Sequence, residues 1–334
     1  MINPLKRNFV KGFLWYQGET NGGYGGYLGF NRDYYQCTFP AMIDSWRHEF
    51  SLHSMTDETA PFGFVQLASW RPDTVEASFP VIRWHQTADH GFVPNEEMKN
   101  VFMAVSLDTY DDKEDYPGNL HPRYKQIVAE RLAVAGLSIA YGLNYPTNGP
   151  FPLSIEIGGG KITVTYDKDL TYIANEISGF YYCTQLDDCD AGIFLDLWTE
   201  IEMERVEQVS TTEIVVQLEE NTPFWLSYLW RETPVLAYRG LPVYEAAETS
   251  LPSPPWKWLV EGIFFCVQVF LHYAIYYLSK LTCSFDIQLI NKYHDKNKRC
   301  FHLSVAGHMQ THDLILRGWN LEFNYCGFNL LYIL

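Results

Sequence analysis

The chain has 334 residues, of which 47% are hydrophobic and 16% aromatic, so it can build a large core and is not a disordered protein. Its formal net charge is −16, and no large cluster of Lys and Arg occurs. Because nucleic-acid binding needs a basic surface, we expect no nucleic-acid partner. The seven cysteines do not follow the spacing of a zinc site, and we expect neither a metal nor a cofactor.

Residues 1–147 alternate short apolar strands with helical patterns. Strands are predicted at 13–16, 62–67 and 101–105. Helices are predicted around 39–46, where apolar residues recur at i, i+3, i+4 and i+7, at about 78–90, and from Pro122 onward, since proline fits a first helical turn. Repeated β-α units of this kind indicate a parallel sheet covered on both faces, and the predicted fold class is α/β.

Residues 148–256 have a different periodicity. Polar and apolar residues alternate at 161–166, 213–218 and, in part, 224–230, and the glycines at 158–160 predict a turn. This pattern predicts a small antiparallel β-sandwich. Prolines 146, 150 and 152 flank Asn148 and Gly149 and predict a linker before it. The charged stretch 194–209 has no clean periodicity and stays unassigned.

Residues 257–334 differ from the rest of the chain, since all 17 prolines lie before residue 256. The run 262–279 contains no charged residue and meets the lower limit for a transmembrane helix. Gln268 and His272 near its centre argue against a span, and we favour a buried or aggregation-prone segment over membrane contact. We expect residues 257–334 to be an atypical tail. Our hypothesis is that they are non-native sequence, translated past the usual end of the protein.

The strand at 13–16 is followed by a polar loop, which is where open α/β sheets place their ligand sites. A solvated turn is the plain alternative. This loop contains the first of four motifs, which are Trp15-Tyr16-Gln17-Gly18-Glu19-Thr20-Asn21, Ile82-Arg83-Trp84-His85-Gln86, His121-Pro122-Arg123-Tyr124-Lys125-Gln126 and Leu251-Pro252-Ser253-Pro254-Pro255.

In this order the four motifs resemble the signatures of the sialate O-acetylesterase family, a branch of the SGNH hydrolases, over about residues 1–256. The resemblance implies a partial SGNH, flavodoxin-like sheet domain in residues 1–147 and a β-sandwich in 148–256. It implies a carboxylic-ester hydrolase that removes O-acetyl groups from sialic acids or related acetylated sugars. The family is lysosomal or secreted, although no apolar signal segment follows Met1.

The resemblance also implies roles for individual residues. His121 matches the catalytic base, and Gln17 and Gly18 are the best candidates for the oxyanion hole. Asn21 is expected to assist them, and Glu19 to act directly or to hold the loop. Arg83 and His85 are candidates for binding substrate, Arg83 as a cation for a carboxylate, with an ordinary helix surface as the alternative.

The acid that would orient His121 is left open. Many SGNH enzymes have an aspartate three residues before the histidine, where this chain has Gly118. Asp115, Asp108 and Glu19 are alternative carboxylates for this role. A backbone carbonyl that holds His121 is a further alternative. The acidic residues 111, 112, 114 and 115 are expected to form only a solvated loop.

The nucleophile is missing from the expected pattern. In the family it lies in a Gly-Gln-Ser-Asn block upstream of the first motif, and this string does not occur here. Ser45, Ser69, Ser78 and Ser106 lack the strand-turn-helix setting of an exposed nucleophile. We therefore expect a C-terminal portion of the esterase that is inactive alone, with a truncated carbohydrate-binding or regulatory remnant as the alternative. Cys183 and Cys189 are either a local disulfide or two thiols.

Overall fold

The structure is a computed structural model, and it divides into two compact units, Met1–Ile263 and Phe264–Leu334. In the first unit it describes residues 2–24, 27–28, 32–72, 74, 78–111, 120–174, 176–185, 189, 195–218, 223–248 and 250–260. In the second it describes residues 285–291, 301–307, 310–311, 314–315 and 319–324.

The N-terminal part of the first unit is built on a parallel sheet in the order β1-β4-β5. Its strands and a small hairpin are β1 (Phe13–Trp15), β2 (Gly23–Tyr24), β3 (Tyr27–Leu28), β4 (Phe62–Gln66) and β5 (Val101–Val105). Its helices are α1 (Glu19–Gly22), α2 (Tyr35–His53), α3 (Ser78–His85) and α4 (Lys125–Tyr141). The predicted parallel sheet is confirmed.

Both faces of the parallel sheet are covered at β4 and β5, which are buried at every position, whereas Leu14 of β1 is exposed. Phe62 and Phe64 face the large core that includes Phe39 of α2, whereas Val65 on the opposite face packs with Val128 of α4. Alternate side chains of a strand point to opposite faces, so the continuous apolar sequence matches this burial. The strand β1 lies at the edge of the described sheet.

The rest of the first unit is antiparallel. One four-stranded sheet has the order β10-β9-β13-β15, a second has the order β11-β12-β7-β6, and β14 pairs with β8. The strands are β6 (Pro152–Gly158), β7 (Lys161–Tyr166), β8 (Leu170–Tyr172), β9 (Phe180–Cys183), β10 (Thr199–Glu200), β11 (Val206–Gln208), β12 (Glu213–Gln217), β13 (Trp225–Tyr228), β14 (Val243–Glu245) and β15 (Trp256–Leu259).

The two four-stranded sheets share one core. Val164 of the second sheet, and Leu226 and Trp256 of the first, belong to the same buried cluster as the residues of the parallel sheet. The three predicted β patterns correspond to β7, β12 and β13. The described part of the unassigned stretch 194–209 contains β10, β11 and two short 3-10 turns, Leu195–Leu197 and Met203–Arg205. The finer prediction of a sandwich stays a prediction.

The proline-rich segment at 146–152 is packed rather than free. Gly149 lies against the backbone of Leu251 and Pro252, and a Cβ at position 149 would collide with both carbonyl oxygens. The Asn148 side-chain amide donates to the Val93 carbonyl, 2.6 Å away. The predicted linker is therefore a fixed connection, because residues from two distant parts of the chain hold it.

Two predicted helix boundaries are wrong. Helix α3 ends at His85 rather than near residue 90, since Ala88 and Asp89 have φ angles of 51° and 65°, outside the helical region. Helix α4 begins at Lys125 rather than at Pro122. The reason for the second is the backbone of Tyr124, whose ψ angle of 51° lies outside the helical region.

Cys183, at the end of β9, forms a disulfide with Cys189, which decides between the two alternatives left by the sequence. In the second unit the described strands are β16 (Phe285–Asn291), β17 (Phe301–Gly307), β18 (Gln310–Thr311), β19 (Leu314–Ile315) and β20 (Trp319–Asn324). Within the residues described, none of the helices combines the length and apolar character needed to cross a bilayer. The run 262–279 lies outside the described residues.

Candidate active site

The polar loop after β1 is held by hydrogen bonds that start at Gln17. Its side-chain amide donates to the side-chain oxygen of Asn21, 2.7 Å away, and its own side-chain oxygen accepts a hydrogen bond from the Tyr35 hydroxyl at 3.3 Å. Tyr35 is buried on α2, and burial raises its pKa, so its hydroxyl stays a donor at neutral pH. The loop therefore fixes the direction of the Gln17 amide.

Gly18 allows this loop to turn tightly over the core. Its φ angle of 146° lies in a region that side chains rarely adopt. A Cβ at this position would lie 3.1 Å from Ile82 and 3.2 Å from Leu67. The backbone can therefore pass close to α3 and the end of β4 only because the residue is glycine.

Gln86 joins the second motif to the first. It is fully buried, its side-chain amide donates to the carbonyls of Gln17 and Val65 at 3.3 and 3.2 Å, and its side-chain oxygen accepts from the Leu67 N–H at 3.1 Å. Both polar ends of the side chain are thus used within the fold. Gln86 connects α3, the end of β4 and the loop after β1 through one side chain.

The third motif reaches the same loop through Lys125. The Lys125 ammonium donates to the Tyr16 hydroxyl at 2.8 Å and lies 4.5 Å from the centre of the Tyr16 ring. Burial raises the pKa of Tyr16 to about 12, and the nearby Glu19 charge acts in the same direction. The structure therefore brings Glu19, Tyr16 and Lys125 together.

Asp111 fixes the segment that carries His121. The Asp111 carboxylate is buried and accepts hydrogen bonds from the Arg123 backbone N–H and from its guanidinium at 2.6 and 2.7 Å. The expectation that Asp111 belongs to a solvated loop is wrong, because this fork-like ion pair occupies both oxygens. His121 itself is exposed, and within the described part of the chain it has no hydrogen bond or ion pair.

Of the two aspartates considered as the acid partner of His121, the structure describes one. Asp108 is fully buried, and its oxygens accept from two nitrogens of Arg131, at 2.6 and 2.7 Å, and from the Tyr244 hydroxyl at 2.9 Å. Asp108 is therefore corrected to a structural partner of Arg131, because it is fully buried and both of its oxygens are hydrogen-bonded to other residues. Asp115 lies outside the described residues.

Arg83 does not lie on a helix surface. Its side chain is fully buried, and the guanidinium donates to four backbone carbonyls, each at 2.8 Å. The acceptors are Leu67, Ala68, Arg231 and Glu232. Burial lowers the pKa of Arg83 and the Glu232 charge opposes this, but a guanidinium stays protonated in proteins. The prediction that Arg83 binds a substrate carboxylate is corrected, since a ligand cannot reach it here.

His85 is half-buried at the end of α3, and its Nδ1 lies 2.6 Å from the Asp89 carboxylate. His85 therefore has a specific partner, unlike a residue on an ordinary helix surface, which was the alternative. A hydrogen bond at Nδ1 fixes the orientation of the ring and leaves Nε2 for another partner. The role of His85 in binding substrate stays a prediction.

Comparison with known proteins agrees with the motifs. Residues 153–260 match the family model described as the sialate O-acetylesterase C-terminal domain. The chain is 38% identical to the sialate O-acetylesterase of Mus musculus over 264 residues and 37% identical to that of Homo sapiens over 262 residues. The chain is therefore similar to the sialate O-acetylesterases. It covers 45% and 47% of those two proteins, with 76% of its own length, and so spans about half of each.

The chain is also similar to a solved structure. The chain resembles the crystal structure of a carbohydrate acetylesterase from Xanthomonas citri, with a TM-score of 0.58 and 26% sequence identity. The similarity covers 77% of this chain and 52% of that protein. Both comparisons therefore place an acetylesterase-like fold over about three quarters of the sequence.

Three of the four serines named above are buried and hydrogen-bonded within the fold. Ser69 is buried and donates to the Leu107 carbonyl at 2.9 Å, and Ser106 is buried and donates to the Gln66 carbonyl at 2.6 Å. Ser78 is buried beside Arg71, and Ser45 is exposed on α2. Among the described residues, no serine hydroxyl is hydrogen-bonded to the side chain of a histidine.

Sequence reasoning missed three residues that shape the site. Gln86 and Lys125 lie inside the motifs that carry the family resemblance. Their place in those motifs was the signal that could have identified them. Asp111 follows β5 closely, in the region where polar residues gather at the carboxyl end of a sheet. Its acidic neighbours in sequence concealed this signal, since together they look like a solvated loop.

Proposed function

We propose that this chain carries part of an esterase site that removes O-acetyl groups from sialic acids or related acetylated sugars. In this proposal His121 is the general base, and Gln17 and Gly18 supply the oxyanion donors. Asn21 orients the Gln17 amide, and Glu19 holds the loop. Residues 1–147 correspond to the C-terminal part of an SGNH-like domain, 148–256 to a β-sandwich, and 257–334 to an atypical tail.

The contact between Lys125 and Tyr16 is the observation that best supports the proposal. The 2.8 Å hydrogen bond joins the segment containing His121 to the loop containing Gln17 and Gly18. His121 precedes Lys125 by four residues, so their Cα atoms are at most about 14 Å apart. Gln17 uses its amide towards Asn21, and an amide nitrogen has a second N–H to donate. An acetyl ester in this region would meet a base and a neutral donor.

We propose that this chain does not supply the nucleophilic serine. In the mechanism a serine attacks the acetyl carbonyl, His121 takes its proton, and the tetrahedral oxyanion is stabilised by the Gln17 side-chain amide and the Gly18 backbone N–H. The described serines at 69, 78 and 106 are buried. We therefore propose that the isolated chain does not form an acyl-enzyme and acts alone only as a carbohydrate-binding or regulatory form.

The test uses the chain alone and a chimera. In the chimera, the part of the Mus musculus relative that precedes its matched region is joined to this chain. We expect acetate release from an O-acetylated sialic acid by the folded chimera, and none by the 334-residue chain. Turnover by the chain itself that is lost in His121→Ala would overturn the proposed absence of a nucleophile. A folded chimera whose activity is unchanged by His121→Ala would overturn the role of His121.

A further inference from the structure

The Lys125 ammonium is an exposed cation that contacts Tyr16, the residue directly before Gln17 and Gly18. It lies at the first residue of α4 and donates one hydrogen bond, to the Tyr16 hydroxyl. An ammonium carries three N–H donors, so two remain for a ligand. Arg83, the cation expected for this role, is sealed in the core by its four carbonyl partners.

Glu19 is an acidic group close enough to act on Lys125, but Glu19 does not neutralise the Lys125 charge by direct contact. Its charge raises the pKa of Lys125, while burial of the ammonium lowers that pKa by a larger amount. Among the described residues, Glu19 and Lys125 form no ion pair. The Lys125 charge therefore stays available to an anion that approaches the loop.

The position of Lys125 in its helix makes an anion more favourable there. The positive end of the helix dipole is at the N-terminus, where a cation is destabilised. The first turn of α4 contains no acidic residue, and no side chain caps the helix at Tyr124. An anion near Lys125 would interact favourably with both the ammonium and the helix.

A sugar acid needs such a local cation in this protein. With a net charge of −16, the chain repels an anionic substrate at long range. Selection of a carboxylate must therefore come from a short-range contact. A charge-assisted hydrogen bond from an ammonium is about twice as strong as a neutral one.

We propose that Lys125, positioned by Tyr16, recognises the carboxylate of a sialic acid beside the loop of Gln17 and Gly18, and so selects acidic over neutral sugars. The inference rests on the proposed function for the identity of the sugar. It assigns to Lys125 the selectivity that the sequence suggested for Arg83. In this arrangement the carboxylate accepts hydrogen bonds from the two remaining ammonium N–H groups.

The test measures binding, so it does not depend on turnover. N-acetylneuraminic acid and its methyl ester, in which the carboxylate is neutral, are titrated into the folded 334-residue chain and followed by ligand-observed NMR. We expect the acid to bind roughly tenfold more tightly than the ester, as the charge-assisted hydrogen bond requires. Lys125→Gln should remove this preference and leave the affinity for the ester unchanged, whereas Lys125→Arg should keep most of it.

Lys11→Gln is the matched control, because Lys11 is also exposed and lies 5.5 Å from the ring centre of Tyr141. It should keep the full preference for the acid. Equal weakening of acid and ester by Lys125→Gln would show that Lys125 only positions the loop, and would overturn the inference. No preference in the wild-type chain, or no binding of either ligand, would also overturn it.

Failure of the proposed function would look different. If the chimera releases acetate from a neutral acetylated sugar but the chain shows no preference for the acid, the function stands and the role of Lys125 fails. If the preference is present and depends on Lys125, but the folded chimera releases no acetate, recognition of the carboxylate stands and the esterase proposal fails.

Discussion

Helix α3 and the start of α4 both carry motifs of the family resemblance, yet their cations Arg83 and Lys125 lie in opposite environments. On α3, Arg83 is fully buried and donates to four carbonyls of the chain. On α4, Lys125 is exposed and donates one hydrogen bond to the loop after β1. The motifs therefore mix buried residues that build the scaffold with residues exposed at the surface, and burial separates the two kinds.

The largest effect is expected from Arg83→Met. Its removal leaves four buried carbonyls without a donor, and each unsatisfied group is costly. We expect a loss of about 3–5 kcal/mol in the free energy of unfolding, measured by urea denaturation. Arg7→Met, at an exposed position, should change it by less than about 0.5 kcal/mol. A loss below about 1 kcal/mol for Arg83→Met would contradict the assignment of Arg83 to the scaffold.

A smaller effect is expected at Gly18→Ala. The φ angle of 146° and the short approach to Ile82 should together cost about 1–3 kcal/mol in unfolding free energy. Gly158→Ala is the control, because a Cβ there meets nothing within 4 Å. If the two glycine variants unfold at the same denaturant concentration, the close packing of the loop against α3 is wrong.

The Asp111–Arg123 pair anchors the start of α4, and a double-mutant cycle with Asp111→Asn and Arg123→Gln measures it. We expect a coupling energy of about 1–2 kcal/mol, since the carboxylate is buried and the guanidinium binds it with two nitrogens. The same cycle on the surface pair of Lys6 and Glu49, 3.1 Å apart, should give a smaller coupling energy, because solvent screens exposed charges. Equal coupling in the two cycles would remove Asp111 as an anchor.

The smallest effect on stability is expected for Lys125→Gln, in direct contrast to Arg83. The exposed ammonium loses one hydrogen bond to Tyr16, which should change the free energy of unfolding by less than about 1 kcal/mol. Thermal or urea unfolding of this variant beside Arg83→Met makes the comparison. If Lys125→Gln is as destabilising as Arg83→Met, Lys125 also belongs to the scaffold and the contrast between the two motifs is lost.

The elements that sequence predicted well are those whose periodicity was strong. The strands β5 and β7 have the expected bounds, and α2 contains the apolar stripe that includes Phe39 and Ile43. These patterns are local, because burial of one face requires a fixed spacing of apolar residues. The bounds of α3 and the start of α4 depended on the φ angles at residues 88 and 89 and on the ψ angle at Tyr124, none of which spacing reveals.

The candidate site was predictable only as a set of motifs. The Gln17 loop and the segment of His121 were singled out by resemblance, and the structure brings them close through Tyr16 and Lys125. The burial of Arg83 was not predictable, since its acceptors at 231 and 232 lie in a distant part of the chain. Long-range contacts of this kind decide whether a charged residue faces a ligand or the core.

The central claim is that His121, and not His85, is the base that acts beside the loop of Gln17 and Gly18. The most direct test compares kcat of the folded chimera with kcat of its His121→Ala and His85→Ala variants on an acetyl ester. We expect a loss of about 10³-fold or more for His121→Ala and less than about tenfold for His85→Ala, because removal of a triad base leaves only residual catalysis. A larger loss for His85→Ala than for His121→Ala would contradict the account.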